Sequence, residues 1–288
     1  MKNLLLFSKY NSNYQISRIK EECELRNINI QTVSYLDLNF EIKNNIPHIY
    51  FKKTKESLLE YDNFIFRGFV SFDFFKELLC LYLSENHKNV LNKNVLLNTS
   101  LYINKLIQVF KLSMNNLPVV NSNLYGSTDV YSQEEAYPFP FILKGIVGSY
   151  GNEVMKIDNN LKYRGMIVNK QISDLIFQPF LPTGEDYRIL VLGGRVLGVM
   201  KRIAQEGKYL TNVSAGGKFE KAELTKELED LSLKAAKVFG ADYCGVDIMY
   251  DQNNKPHILE VNFGAQFKGF EKCTGLNIAG QIIDYLVP

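Results

Sequence analysis

The run Tyr243-Cys-Gly-Val-Asp247-Ile-Met-Tyr250, followed by Pro256-His-Ile-Leu-Glu260-Val-Asn262, constrains this chain more than any other stretch. Each half is a short apolar segment carrying one carboxylate. The connector Asp251-Gln-Asn-Asn-Lys255 has the turn chemistry that joins antiparallel strands, so the pair is read as a β-hairpin. Residues two apart on a strand point the same way, which puts Glu260 and Asn262 on one face with Asp247 able to meet them across the ladder. Three oxygen-bearing side chains with no His or Cys among them suit Mg²⁺, which usually keeps waters and substrate phosphates in its shell. They equally suit ordinary positions on half-solvated strands, and spacing alone does not choose between the two.

At 288 residues the chain exceeds a single hydrophobic core and predicts two or three domains, which 46% hydrophobic content is enough to fill. A formal charge of +2, evenly spread, argues against a nucleic-acid or membrane partner, with a local basic groove left open. Cys23, Cys80, Cys244 and Cys273 are far apart and form no C-x-x-C pair. They are expected as buried thiols in a reducing, cytoplasmic compartment rather than as disulfides or zinc ligands. Leu4–Phe7 is too short for a signal-peptide core, and no apolar run approaches a membrane span. None of the histidines His48, His87 and His257 has a nucleophile beside it, so His-based catalysis is not expected.

Read in order, the pattern is β/α: a strand near 2–7, a helix near 13–27 and strands near 30–36, 47–51 and 61–68. A helix over 72–83 and a strand over 90–97 complete a small open α/β domain. Arg67 ends the buried run Phe64-Ile-Phe66 at a strand terminus, where open α/β sheets place binding crevices. It is either a cation for a substrate carboxylate or a surface arginine paired with a nearby acid. Next come a helix over 100–115 carrying Lys105, a short helix from Ser127, and the strand Pro140–Lys144, which runs into a loop holding Gly148, Ser149 and Gly151. Glycines after a strand-borne lysine let the backbone approach a ligand and turn N–H groups toward its oxygens, although an ordinary hairpin turn has the same composition. Residues 158–170 read as helical and Leu175–Leu181 as a strand. Glu185–Leu192 and Arg195–Met200 form a hairpin about Gly193-Gly194, with Lys201 and Arg202 as adjacent cations suited to phosphate or to a solvated strand end. A helix over 227–239 closes at Gly240.

Taken together, Lys105, Ile142-Leu-Lys144 with its glycine loop, Phe177-Gln-Pro-Phe-Leu181, Asp186-Tyr-Arg188, Lys201-Arg202, Asn212 with Gly216-Gly217, Gly245-Val-Asp247 and Glu260-Val-Asn262 resemble the RimK-like branch of the ATP-grasp ligases. The tail Gly269-Phe-Glu271 through Ala279-Gly280 does too, and the resemblance covers residues 97–288. It implies an α/β (α+β) ATP-grasp fold with an N-terminal α/β domain over 1–96, a central subdomain with the glycine loop over 97–175, and a C-terminal subdomain with the metal site over 176–288. ATP would lie between the last two. Lys105 and Lys144 would hold its phosphates under Gly148, Ser149 and Gly151, with Thr211 and Asn212 approaching them. Gln178, Pro179, Phe180 and Leu181 would line the adenine, and Asp186 would lie along the nucleotide. Asp247, Glu260 and Asn262 would bind Mg²⁺, for which Mn²⁺ can substitute, and Arg188, Lys201 and Arg202 would act at the reacting centre.

The implied reaction joins a carboxylate to an amine through an acylphosphate, on an amino-acid, peptide or protein substrate, in an enzyme that is often a homo-oligomer. A hydroxyl kinase and a non-catalytic nucleotide-binding module are the alternatives; the intact lysines and acids weigh against the latter. Three positions depart from the family pattern. Pro179 stands where an acidic hinge residue is usual, Leu210 where RimK has an arginine, and Phe263–Lys268 replaces a small-polar and Pro-Gly segment.

Overall fold

In a computed structural model, which describes residues 2–8, 13–67, 73–125, 138–147, 154–167, 174–211 and 217–288, the chain opens as a parallel sheet. Strands β1 (Asn3–Ser8), β2 (Asn29–Val33), β5 (Asn63–Arg67) and β6 (Asn89–Val90) lie in the order β2-β1-β5-β6. Helices α1 (Tyr14–Leu25) and α2 (Asp73–Glu85) supply the crossovers. Asn13 starts α1 by accepting from the Ile16 N–H at 3.0 Å, which satisfies one of the orphan donors of the first turn.

A two-stranded hairpin, β3 (Leu38–Lys43) with β4 (Ile46–Phe51), is attached to this sheet. The strand β3 lies where the sequence reading had none. Asn44 and Asn45 both take positive φ, 52° and 63°, the backbone that favours tight hairpins, and this Asn-Asn pair was the available signal.

The strand expected over 90–97 is a correction. Only Asn89–Val90 is strand; the chain then turns into α3 (Lys93–Leu96) because Asn92 adopts the left-handed conformation at φ 61°. Asn92 is buried, and its side-chain amide donates to the carbonyls of Tyr243 at 2.7 Å and Phe263 at 3.2 Å while accepting from the Tyr243 N–H at 2.7 Å. Its own N–H donates to the Asp242 carboxylate at 2.7 Å.

Helices α4 (Thr99–Tyr102) and α5 (Lys105–Met114) replace the single helix expected over 100–115. The antiparallel strands β7 (Phe141–Gly145), β8 (Val154–Ile157) and β9 (Leu175–Pro179) follow in the order β8-β7-β9, with α6 (Asn160–Ile167) between β8 and β9. The expected short helix from Ser127 lies outside the described residues, as do 168–170 at the end of the helix expected over 158–170.

The largest sheet is antiparallel, in the order β12-β11-β10-β13-β14. It comprises β10 (Glu185–Leu192), β11 (Arg195–Ile203), β12 (Lys218–Lys221), β13 (Tyr243–Tyr250) and β14 (Pro256–Asn262). One face packs on α7 (Lys226–Phe239) through Ile189, Val191, Val246 and Phe239. The other packs on α8 (Lys268–Thr274) and α9 (Ile278–Leu286), and through α1 on the parallel sheet, so that Leu4, Ile65, Leu190, Tyr243, Phe270 and Ile282 share one core. Both expected hairpins of this region form. No helix among the described residues is long and apolar enough to cross a membrane.

Candidate active site

The α9-facing side of the large sheet is apolar over most of its area and polar at one end. Register explains the change: Arg202 on β11 lies opposite Asp186 on β10, Arg188 opposite Asp247 on β13, and Asp247 opposite Glu260 on β14. Ladder partners share a face, so five charged side chains from four adjacent strands converge. Arg188 grips Asp247 with two bonds, Nε to Oδ1 at 2.7 Å and Nη2 to Oδ2 at 2.6 Å. Arg202 grips Asp186 the same way at 2.6 and 2.7 Å and sends Nη2 to Asp247 Oδ2 at 2.8 Å. Thr211 donates its hydroxyl to Asp186 at 2.6 Å.

Burial alone would push Asp247 toward its neutral form, but Arg188 and Arg202 outweigh it and hold the carboxyl below the usual range. Burial likewise disfavours the Arg202 charge, and Asp247 and Asp186 overcome it to raise its pKa. Asp186 therefore lies beneath the cluster. It is 1% exposed, and its carboxylate is occupied by Arg202 and Thr211. Lys201 is not brought in. Successive strand residues face opposite ways, and Lys201 pairs instead with Glu185 at 2.6 Å beside the Tyr187 ring.

Two lysines approach this end from the other side. Asn104 caps α5 by accepting from the N–H groups of Leu106 and Ile107 at 2.9 and 3.2 Å, and the Lys105 N–H donates to the Ile146 carbonyl at 2.7 Å just beyond β7. This joins the start of α5 to the strand that carries Lys144. The opposite tie comes from Gln108, buried on α5, which accepts from the Val261 N–H of β14 at 2.9 Å and donates to the Tyr102 carbonyl at 2.7 Å. Gln108 escaped the sequence reading because a mid-helix glutamine carries no signal of its partners.

A register shift on β14 leaves Leu259 without a ladder partner, and its carbonyl accepts from Lys144 Nζ at 3.5 Å. Bulges of this kind re-aim backbone groups beside sites. Lys144 is 7% exposed, and burial pushes its pKa down to about 8. Glu260 and Asp247 raise it and Lys105 lowers it, so all three charged groups lie within electrostatic reach of Lys144.

Beyond the lysines, Pro179 ends β9 opposite Phe141, and Phe180 and Leu181 follow, all half-buried. Lys156 Nζ lies 4.4 Å from the centre of the Phe180 ring, and Tyr209 meets that ring edge-on at 6.4 Å. The Tyr209 hydroxyl donates to the Val154 carbonyl at 3.1 Å and accepts from the Lys156 N–H at 3.3 Å. Neither Lys156 nor Tyr209 was singled out in the sequence. The Gln178 side chain turns away from this wall and donates to Ser122 Oγ at 2.8 Å. Gly148, Ser149, Gly151 and Asn212 lie outside the described residues.

The donor set fits a hard divalent cation. Glu260 is half-buried and makes no side-chain hydrogen bond or ion pair among the described residues, while Asn262 Oδ1 accepts only from the Gly264 N–H at 3.0 Å. Both oxygens therefore retain lone pairs for a metal beside the oriented Asp247.

A RimK-like ATP-grasp domain matches residues 94–286. The chain belongs to that family. Its fold class, its activity as a C–N bond-forming ligase and its use of ATP with Mg²⁺ accord with this membership. Among the relatives, a "Probable alpha-L-glutamate ligase" of Vibrio atlanticus is 26% identical over 98% of this chain and 94% of its own length. One of Psychromonas ingrahamii is 27% identical over the same shares. The fold matches ATP-grasp ligase PsnB complexed with minimal precursor, Mg and ADP, with a TM-score of 0.76 at 19% identity over 99% and 97% of the two chains. It also matches the macrocyclase MdnC bound with precursor peptide MdnA, from Microcystis aeruginosa, with a TM-score of 0.74 at 15% identity over 99% of each.

Proposed function

We propose that this ligase activates a carboxylate as an acylphosphate and joins it to the amino group of an amino acid, the acid being borne by a peptide or protein. The observation that carries the reading is the convergence of Lys105 and Lys144 with Asp247 and Glu260, a cation-and-acid pairing suited to the phosphates of ATP and a divalent metal. A carboxylate oxygen attacks the γ-phosphorus and ADP leaves; the amine nitrogen then attacks the carbonyl carbon, phosphate leaves and the nitrogen loses a proton. The first step needs alignment and positive charge rather than a base, because a carboxylate is already ionised at neutral pH.

In this reading Lys105 and Lys144 hold phosphate oxygens, and Gly148, Ser149, Gly151, Thr211 and Asn212 surround them. Pro179, Phe180 and Leu181 line the adenine. Asp247, Glu260 and Asn262 hold Mg²⁺, which when bound neutralises phosphate charge. Arg202 and Asp186 orient Asp247. Arg188, with 14% of its side chain exposed against 6% for Arg202, meets the charge that develops on transfer. The relatives' name makes L-glutamate the first amine to test. The three-part division at 1–96, 97–175 and 176–288 belongs to the same reading, supported by sheets that fall within 3–90, 141–179 and 185–262, with β9 at the second seam. So do a cytoplasmic location and a homo-oligomer acting without nucleic acid.

Hydroxylamine tests the chemistry. With ATP, Mg²⁺, a pool of peptides bearing free carboxylates and no amine, ADP and a hydroxamate should form in step, and Glu260→Ala should abolish both. AMP with pyrophosphate, or a stable phosphate ester without hydroxamate, overturns the reading; the latter would make the protein a kinase.

A further inference from the structure

Arg67 ends β5 beside Ser8 of β1, at the carboxyl edge of the parallel sheet and on the face turned toward the large sheet. It is 6% exposed, yet its nitrogens are poorly used. Nη2 donates to the Ala265 carbonyl at a long 3.4 Å, an acceptor already taken by the Tyr243 hydroxyl at 3.1 Å, and Nε has no partner among the described residues. The guanidinium rests against two rings, 5.3 Å from the centre of Tyr243 and 5.5 Å from that of Phe267.

Arg188 and Arg202 are paired with carboxylates; Arg67 forms no ion pair among the described residues. Burial pushes its pKa down, and only Tyr243 acts in the other direction. A buried guanidinium without an anion is costly, and its planar fork matches a carboxylate.

Resting on the ligase reading above, we propose that Arg67 anchors the carboxylate of the amino-acid substrate that the reaction leaves untouched. An amino acid that attacks through its nitrogen keeps its α-carboxylate, so the site must accommodate that charge. Position sets Arg67 apart from the phosphates. Tyr243 is four residues along β13 from Asp247, about 13 Å at the rise of a strand, too far for a γ-phosphate held at the metal. The gap is bridged on the same face. Arg188 acts electrostatically on Tyr243, and a Cβ added at Gly245 would come within 2.9 Å of Ala265 and 3.6 Å of Arg188, so the backbone that faces Arg67 also borders the charged cluster. Phe263–Lys268, the segment that departs from the family pattern, supplies Ala265 and Phe267 as the floor of this subsite.

Thermal unfolding with Mg·AMPPNP and each common L-amino acid, on wild type, Arg67→Met and Arg67→Lys, tests the assignment. At least one amino acid should stabilise the nucleotide-bound wild type further, and its α-carboxamide should not. Arg67→Met should keep the nucleotide shift and bind the amino acid at least about tenfold more weakly, with Arg67→Lys between, since the charge survives without the fork. An amino-acid shift that persists in Arg67→Met, one shared by the carboxamide, or none in the wild type overturns the proposal. Loss of the nucleotide shift in both variants overturns it too, by making Arg67 a strut. Failure of Mg·AMPPNP to stabilise even the wild type would instead remove the ligase reading on which it rests.

Discussion

Lys144→Met should make the nucleotide-free protein more stable while crippling it as a nucleotide binder. In the unfolded chain this lysine titrates at the ordinary 10.5, and in the fold at about 8. Between those values the unfolded state holds more protons, so stability rises with pH; below pH 8 the ammonium is charged in both states and its burial costs the most. The depression corresponds to about 3 kcal/mol at pH 7 and to about 1.4 kcal/mol at pH 9.5. Methionine is close in length and carries no charge to desolvate. The variant should therefore gain about 3 kcal/mol at pH 7 and about half of that at pH 9.5. Urea unfolding followed by far-UV circular dichroism suits the measurement, because the chain has 17 tyrosines and no tryptophan, and tyrosine fluorescence itself titrates near the upper pH. Nucleotide binding should run the other way: wild-type affinity weakens above pH 8 by up to about tenfold per unit, and the variant lacks that limb. A variant less stable than wild type at pH 7, or a gain that does not shrink with pH, would refute the electrostatic account of Lys144.

Arg202→Met should cost about 3–5 kcal/mol in urea unfolding, since it strips Asp186 of its ion pair in the interior, and adding Asp186→Asn should recover part of the loss. A cost below about 1 kcal/mol for the single variant would contradict the buried network. Lys201→Met, on the opposite face, should leave the ADP-forming rate within about twofold and stability within about 1 kcal/mol, as for any partly exposed pair. A loss of activity comparable to that of Glu260→Ala would return Lys201 to the site.

The hairpin that carries Asp247 and Glu260 was legible because its carboxylates follow the period of a strand, and that period is local. Glu260 opposite Asp247 was therefore expected and is found. Which cation meets which acid depends on the register between strands far apart in sequence. For this reason the grip of Arg188 on Asp247, and of Arg202 on both acids, was not readable, and Lys201 was grouped with Arg202 by adjacency and by the family resemblance. Arg67 shows the same limit. Its place at a strand end was visible; the rings of Tyr243 and Phe267 around it were not. The false strand over 90–97 arose because a single left-handed Asn92 outweighs an apolar run.

Asn92 also sets how freely the two ends of the chain can change in evolution. Its amide recognises only backbone atoms of Tyr243 and Phe263, so these three bonds do not depend on which side chains stand at those two positions. Position 92 itself has almost no latitude. Glycine would tolerate the left-handed backbone and forfeit three bonds; aspartate would keep one acceptor and lose both donors. At the seam between the N-terminal sheet and the large sheet these bonds are thus strict about residue 92 and indifferent to the side chains borne by the backbone they meet, and an exchange of N-terminal segments between relatives should succeed only where the incoming segment brings an asparagine to this turn.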